Sequence, residues 1–324
     1  MKPHLPKVQK TFVNENLEKQ LEQKGYVVLP SMMLEEEIME MNTFYSQASA
    51  SRIKGEQDLK KTIEDKDLRP KMSKMLKNIL QRLVTEFFVD HRVIAGHFIV
   101  KEPFVDADIK IHHEFSFLDE KVFRPINLWS PLIDVDVNTG AMQVLPESHN
   151  LSNLYRGYSL PSPYSRIFSD FPVFCKNVKM KQTPRESKIG KKLLERFVTI
   201  PMKKGDLMVF DSRLLHRTYS VTENTTRVAA AGLVAPSRAE LYNYQGKTNT
   251  LVEEYEINDD FYLTWNNFDS PEKEKLIRQF EHDFFTLCSE DERLLYRLAN
   301  GRSDKLSWLP KAIRSLFVTT HQTL

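Results

Sequence analysis

Between residues 96 and 234 the chain falls into seven short runs of strand character, at 96–101, 109–114, 125–134, 142–145, 197–202, 206–210 and 227–234. Turn signals separate them, notably Asn138-Thr139-Gly140 and Lys204-Gly205-Asp206. No helical pattern alternates with these runs, and no segment repeats. Successive short strands without crossover helices pack as a sandwich or barrel, not as a parallel α/β sheet. The core is therefore expected to be all-β.

Helical patterning brackets this region. Leu17 and Leu21 sit four apart before Gly25, a helix stop. Leu34, Ile38, Met41 and Tyr45 keep helical spacing after Ser31, as do Met75, Ile79, Leu80 and Leu83. The methionines on these faces read as core packing. The charged stretch 53–71 reads as a solvated connection. Beyond the strands, Ser270-Pro271 predicts an N-cap and a first-turn proline leading into Ile277, Phe280, Phe284 and Leu287. Ser289 to Glu292 predicts a capping box for a helix through Leu294, Leu295, Tyr296 and Leu298, closed by Gly301. The expected organisation is one domain over 1–324. Residues 1–93 form a helical support and 94–236 the β core, with 151–196 inserted as a lid-like segment. Residues 237–324 form a largely helical extension.

Two segments carry the chemistry. KIHHEF holds His112, His113 and Glu114, and LLHRTYSVTENTTR holds His216 and Arg227. Side chains alternate along a strand, so His112 and Glu114 share a face while His113 points away. Two imidazoles and a carboxylate on one face suit an iron(II) that keeps its other positions for a bidentate substrate and oxygen. His216 follows the run Leu207, Met208, Val209, Phe210, and Arg227 opens the run Val228 to Ala231. Neighbouring antiparallel strands then bring a guanidinium near the metal, where its fork fits a carboxylate. Taken singly, each residue has a plainer reading. A strand histidine is more often packed or hydrogen-bonded than ligating, and a lone arginine is most simply an ion-pair residue. The joint arrangement favours the metal centre.

These marks resemble the phytanoyl-CoA dioxygenase family of iron(II)/2-oxoglutarate-dependent oxygenases over roughly residues 25–236. The resemblance rests on GYVVLP, HHEFSFLDE, NLWSPLIDVDVNTGAMQVLPESH and KKGDLMVFDSRLLHRTYSVTENTTR in that order, with the arginine eleven residues after the distal histidine. It implies a double-stranded β-helix, a jelly-roll core of mainly β structure with flanking helices. His112, Glu114 and His216 would bind Fe(2+), and Arg227 the distal carboxylate of 2-oxoglutarate, with O2 as the oxidant. Glu114 stands where the family usually has aspartate, and its extra methylene lengthens the reach by about 1.5 Å. Thr218 shares the face of His216 and matches a hydroxyl position in the family. Asn127 and Trp129 share a face of their strand, and Trp129 matches a residue lining the co-substrate site. An ordinary strand threonine and a core tryptophan remain the plainer readings of those two. Lys101 adds charge at a strand end. His149 reads as a turn-stabilising imidazole, with a supporting donor to the site as the alternative.

Composition fits such an enzyme. Of 324 residues, 41% are hydrophobic and 28% charged, enough for a large core under a soluble surface. A net charge of +2 gives no strong attraction to nucleic acid or membrane. Cys175 and Cys288 make no disulfide framework, the basic start lacks an apolar core, and no run is long enough to span a bilayer, so a cytoplasmic protein is expected. The stretch 176–196 carries eight Lys/Arg against two Glu, which reads as a solvated loop or as a basic lid favouring an anionic or carrier-linked small-molecule substrate. Two other functions fit the same residues: a non-catalytic metal or 2-oxoglutarate-binding module, and a zinc-dependent hydrolase. The hydrolase needs a general base near the metal and leaves Arg227 unused.

Overall fold

The computed structural model describes residues 9–49, 68–103, 108–152, 187–264, 274–284 and 286–301, with scattered positions from 155 to 168 and residue 271. Two antiparallel sheets build its centre. In the larger, β1 (Tyr26–Leu29), β7 (Leu207–Asp211), β4 (Ile126–Pro131), β9 (Arg227–Pro236) and β2 (His91–Lys101) are neighbours in that order. In the smaller, the order is β3 (Ile109–His112), β8 (His216–Thr218), β5 (Met142–Val144) and β6 (Val198–Ile200). Trp129, Met208, Phe210, Ala229 and Ala231 from the first pack with Met142, Val144 and Ile200 from the second. The two sheets thus face each other across one interior, the jelly-roll arrangement. Each residue of β4, β7 and β9 is buried, because helices cover the larger sheet's other face.

Those helices start and stop where the local chemistry dictates. The Asn14 side chain accepts from the N–H groups of Asn16 and Leu17 to open α1 (Glu15–Lys24). Gly25 closes it at φ +84°, a left-handed turn that leads directly into β1. Helix α2 (Glu35–Ser49) follows, and α3 (Leu68–Phe87) buries Met72, Leu76, Ile79, Leu80, Leu83 and Val84 against the sheet. Gly96 and Gly232 are cross-strand partners beneath α3. A Cβ on Gly96 would lie 2.5 Å from the Leu76 Cβ, and one on Gly232 2.5 Å from the Leu80 Cδ1. The helix sits this close because neither position carries a side chain. Gly96→Ala is therefore expected to cost about 1–3 kcal/mol through forced displacement of α3. Urea denaturation measures this, and an unchanged midpoint would show that the helix backs off freely.

Three expectations require correction. Leu68 to Lys71, placed in the charged connection, are the first turn of α3, while 50–67 lie outside the described residues. Among the described residues, the extension after residue 236 is strand as much as helix. It contains a third antiparallel sheet of β10 (Leu241–Gly246), β11 (Leu251–Ile257) and β12 (Lys275–Glu281), besides the short α5 (Asp259–Thr264). Ile277 and Phe280, expected on a helix, belong to β12. Cross-strand pairing outweighs their helical spacing: Arg278 binds Glu254, Lys275 binds Glu256 and Gln279 donates to Glu253. Helix α6 (Ser289–Asn300) exists and ends at Gly301, but its N-cap is Cys288. The Asp291 carboxylate is instead taken by the backbone and hydroxyl of Ser152.

Helix α4 (Lys188–Leu194) is the described part of the basic stretch. Leu193 packs with Ile111, Leu215, Leu295 and Ala299, on the outer face of the smaller sheet and not across the barrel interior. Of the segment 151–196 expected as a lid, residues 169–186 and several positions from 153 to 166 lie outside the described residues. Among the described residues, no helix is long and apolar enough to cross a membrane.

Candidate metal centre

The smaller sheet brings the two histidines together. His112, the last residue of β3, pairs directly with His216, the first of β8, and their rings lie 4.1 Å apart. Glu114 Oε1 is 3.8 Å from His112 Nε2 and 3.4 Å from His216 Nε2. One ligand atom from each of the three falls within 4.8 Å of the others. Each histidine sets its own tautomer. His112 Nδ1 lies 2.8 Å from the Lys110 carbonyl, and His216 Nδ1 lies 2.9 Å from the Leu214 carbonyl. A carbonyl only accepts, so each Nδ1 carries the proton and each Nε2 presents its lone pair to the gap between them.

Protonation states suit a cation. Burial, then the neighbouring His216, lowers His112 to about 4, leaving the imidazole neutral at neutral pH. Burial raises the Glu114 carboxyl, but its close contacts with His216 and His112 outweigh it and hold it at about 2. A metal thus meets a neutral His112 and an ionised Glu114 without displacing a proton from either.

His113 faces the other way, with its ring edge-on to Tyr164 at 5.7 Å. Tyr164 belongs to the cluster outside the smaller sheet. Glu114 itself lies beyond the last ladder pair of β3. Its N–H donates to the Ser212 carbonyl at 2.9 Å, and Ser212 is held in turn by the Asn127 amide, 2.5 Å from its hydroxyl. Asn127 therefore supports the loop behind Glu114. Sequence reasoning passed over Ser212, since nothing local marks a serine whose carbonyl is the functional atom.

A second polar cluster lies at the first residue of β9. Arg227 is fully buried, and its Nη1 donates to the Ile99 carbonyl at 3.3 Å. Its Nε and Nη2 are buried with no hydrogen-bond partner among the described residues, as is the Thr218 hydroxyl. Burial lowers the guanidinium to about 10. The Arg227 Cζ stands 5.6 Å from the Trp129 ring. Ala229 and Ala231 share the face of Arg227 on β9 and pack into the interior cluster with Trp129. Lys101, the cross-strand partner of Arg227, is buried too and donates to the carbonyls of Thr218 and Tyr219 at 3.1 and 2.8 Å. Two buried cations on adjacent strands make this end of the barrel strongly positive. His149 sits elsewhere, buried against Gly25 with its Nε2 3.1 Å from the Glu22 carbonyl.

Comparison with known proteins adds relatives. A curated homologue of phytanoyl-CoA dioxygenase domain-containing protein 1 from Dictyostelium discoideum is 22% identical over 165 residues, covering 50% of this chain and 54% of its own length. The chain thus spans about half the length of that relative. Among solved structures, the non-heme alpha-ketoglutarate-dependent carbocyclase SnoK of nogalamycin biosynthesis is 16% identical with a TM-score of 0.49, covering 82% of this chain and 97% of its own. HygX from Streptomyces hygroscopicus, solved with nickel and 2-oxoglutarate, is 13% identical with a TM-score of 0.47, covering 70% and 88%. The family model for phytanoyl-CoA dioxygenase matches residues 21–229, a span that includes both histidines, Glu114 and Arg227, and the chain belongs to that family.

Proposed function

We propose that the protein is an iron(II)/2-oxoglutarate-dependent dioxygenase that hydroxylates a small-molecule or carrier-linked substrate and releases succinate and CO2. One observation carries the reading. A set of two imidazole nitrogens and one carboxylate oxygen lies in the same barrel as a buried guanidinium with two unpaired nitrogens. Unpaired buried N–H groups on a cation are costly, and a carboxylate taking both offsets that cost. The donor set is that of a two-histidine, one-carboxylate iron site, so the residues fit the group. Iron(II) bound there supplies the redox chemistry that couples oxidative decarboxylation of 2-oxoglutarate to substrate oxidation.

The chain's own part is binding and orientation. His112, Glu114 and His216 would hold the metal. Arg227, with Nε and Nη2 buried and unpaired, would hold the distal carboxylate of 2-oxoglutarate, Thr218 would add a hydroxyl, and Trp129 would wall the site. Lys101 adds a positive field from the adjacent strand. Burial of Arg227 and Thr218 keeps bulk water from competing for the carboxylate. Arg227 has a task in this reading and none in a zinc hydrolase. Substrate-stimulated release of succinate, dependent on both added iron and 2-oxoglutarate, tests the proposal. Turnover that ignores 2-oxoglutarate would contradict it.

Glu114→Asp probes the unusual ligand. Aspartate withdraws the carboxylate by about 1.5 Å, and the hydrogen bond from the Glu114 N–H to Ser212 resists compensation by the backbone. Iron(II) affinity is expected to fall about tenfold or more, or ~1.4 kcal/mol, in a metal titration of the apo-protein. Equal affinity would show that the site accepts either length.

A further inference from the structure

We propose that Arg156 is a positioning residue for the carboxylate ligand, and that it ties the C-terminal sheet to the metal centre. The inference rests on the reading of Glu114 as a ligand. Since Glu114 lies past the end of β3, its peptide is fixed by other contacts. Its N–H is held by Ser212, and its carbonyl accepts from Arg156 Nε at 2.9 Å. The two terminal nitrogens of the same guanidinium donate to Glu120 Oε2 and Oε1, both at 2.6 Å. Both side chains of this pair are 2% exposed. The peptide of Arg156 is locked as well. The Ser116 N–H donates to the Arg156 carbonyl at 2.8 Å, and the Arg156 N–H to the Ser116 hydroxyl at 3.0 Å. A planar fork pinned this way cannot rotate without losing charge-assisted bonds, so it holds the Glu114 carbonyl at a fixed point.

What aims Arg156 comes from outside the barrel. Tyr155 has φ +59°, a left-handed conformation that a non-glycine residue keeps only where its surroundings over-determine it. Its ring is held by Tyr244 of β10 at 5.1 Å, Phe280 of β12 at 4.8 Å and His282 at 5.2 Å. The third sheet therefore fixes Tyr155, the chain turns there, and the next residue reaches the peptide of Glu114. The sheet supplies no metal ligand, yet it sets where one ligand's backbone lies.

The test uses the full chain with cobalt(II) alone as the probe, read by titration and by the visible absorption of the bound ion. Replacing the pair together, Arg156→Met with Glu120→Leu, removes the donor to Glu114 without stranding a buried charge. Circular dichroism and thermal melting report whether the fold survives. The expected result is a folded double variant whose cobalt(II) dissociation constant rises about 10- to 100-fold, with an altered visible band. Tyr155→Ala is expected to shift affinity and band in the same direction by less. A folded double variant with wild-type affinity and spectrum would overturn the proposal. Should the double variant not fold, unchanged cobalt(II) binding by Tyr155→Ala overturns it equally. Wild-type protein with no cobalt(II) site refutes the metal-centre reading and this proposal with it, a failure distinct from the other two.

Discussion

Arg227→Ala is expected to weaken 2-oxoglutarate binding by about 30-fold or more while leaving metal binding intact. Truncating one partner of a buried, hydrogen-bonded charge pair costs about 2–5 kcal/mol, and each 1.4 kcal/mol is tenfold in affinity. Arg227 meets the conditions for the full cost: it is fully buried, and two of its nitrogens have no partner among the described residues. Lysine at this position is expected to restore only part of the affinity, because a point charge cannot reproduce the two-pronged contact. A second consequence separates binding from folding. Only Nη1 of the guanidinium has a protein acceptor, and burial disfavours its charge. Arg227→Met is therefore expected to melt at or above the wild type without ligand, yet to lose the thermal shift that 2-oxoglutarate produces. Isothermal titration with a redox-inert metal in place of iron measures the affinity. Wild-type 2-oxoglutarate affinity in Arg227→Ala would remove this residue from the site.

His112→Ala, Glu114→Ala and His216→Ala are each expected to abolish 2-oxoglutarate-dependent turnover with the fold retained. Each removes one of three ligand atoms that converge within 4.8 Å. His113→Ala is expected to keep turnover, since its ring faces Tyr164 outside the smaller sheet. Succinate release and apo-protein melting, measured side by side for the four variants, decide this. An active His112→Ala beside an inactive His113→Ala would reverse the assignment of the ligand.

Period-two alternation made much of this site legible in the chain. Alternation read over 109–114 put His112 and Glu114 on one side and His113 on the other, although β3 ends at His112 and Glu114 lies beyond it; a second run paired Thr218 with His216. The supports were not legible, because they are contacts at long range in sequence. Glu114 is held by a serine carbonyl from the β7–β8 connection and by an arginine 42 residues away. A carbonyl has no residue type, so no motif announces it. Lys101 could be found as a strand-end cation, but its burial depends on the register that sets it opposite Arg227.

The fold divides in the same way. Helix α1 was legible because Leu17, Leu21 and Gly25 carry its face and stop close together in the chain, while its cap, Asn14, is seen only in the structure. Strand β12 was not. Ile277, Phe280 and Phe284 keep a spacing that suits a helix, and only the partners on β11, among them Glu253, Glu254 and Glu256, make the strand the better state. Strand β1, which follows the helix stop at once, is held by β7 at the far end of the core sequence.

The most direct test of the metal centre is an anaerobic titration of apo-protein with iron(II) and 2-oxoglutarate, followed by visible absorption. A metal-to-ligand charge-transfer band is expected only when both are present. It should be lost in His216→Ala at any 2-oxoglutarate concentration and displaced to higher concentration in Arg227→Ala. No band from the wild type at saturating iron(II) and 2-oxoglutarate would contradict the assignment of His112, Glu114, His216 and Arg227 to one co-substrate site.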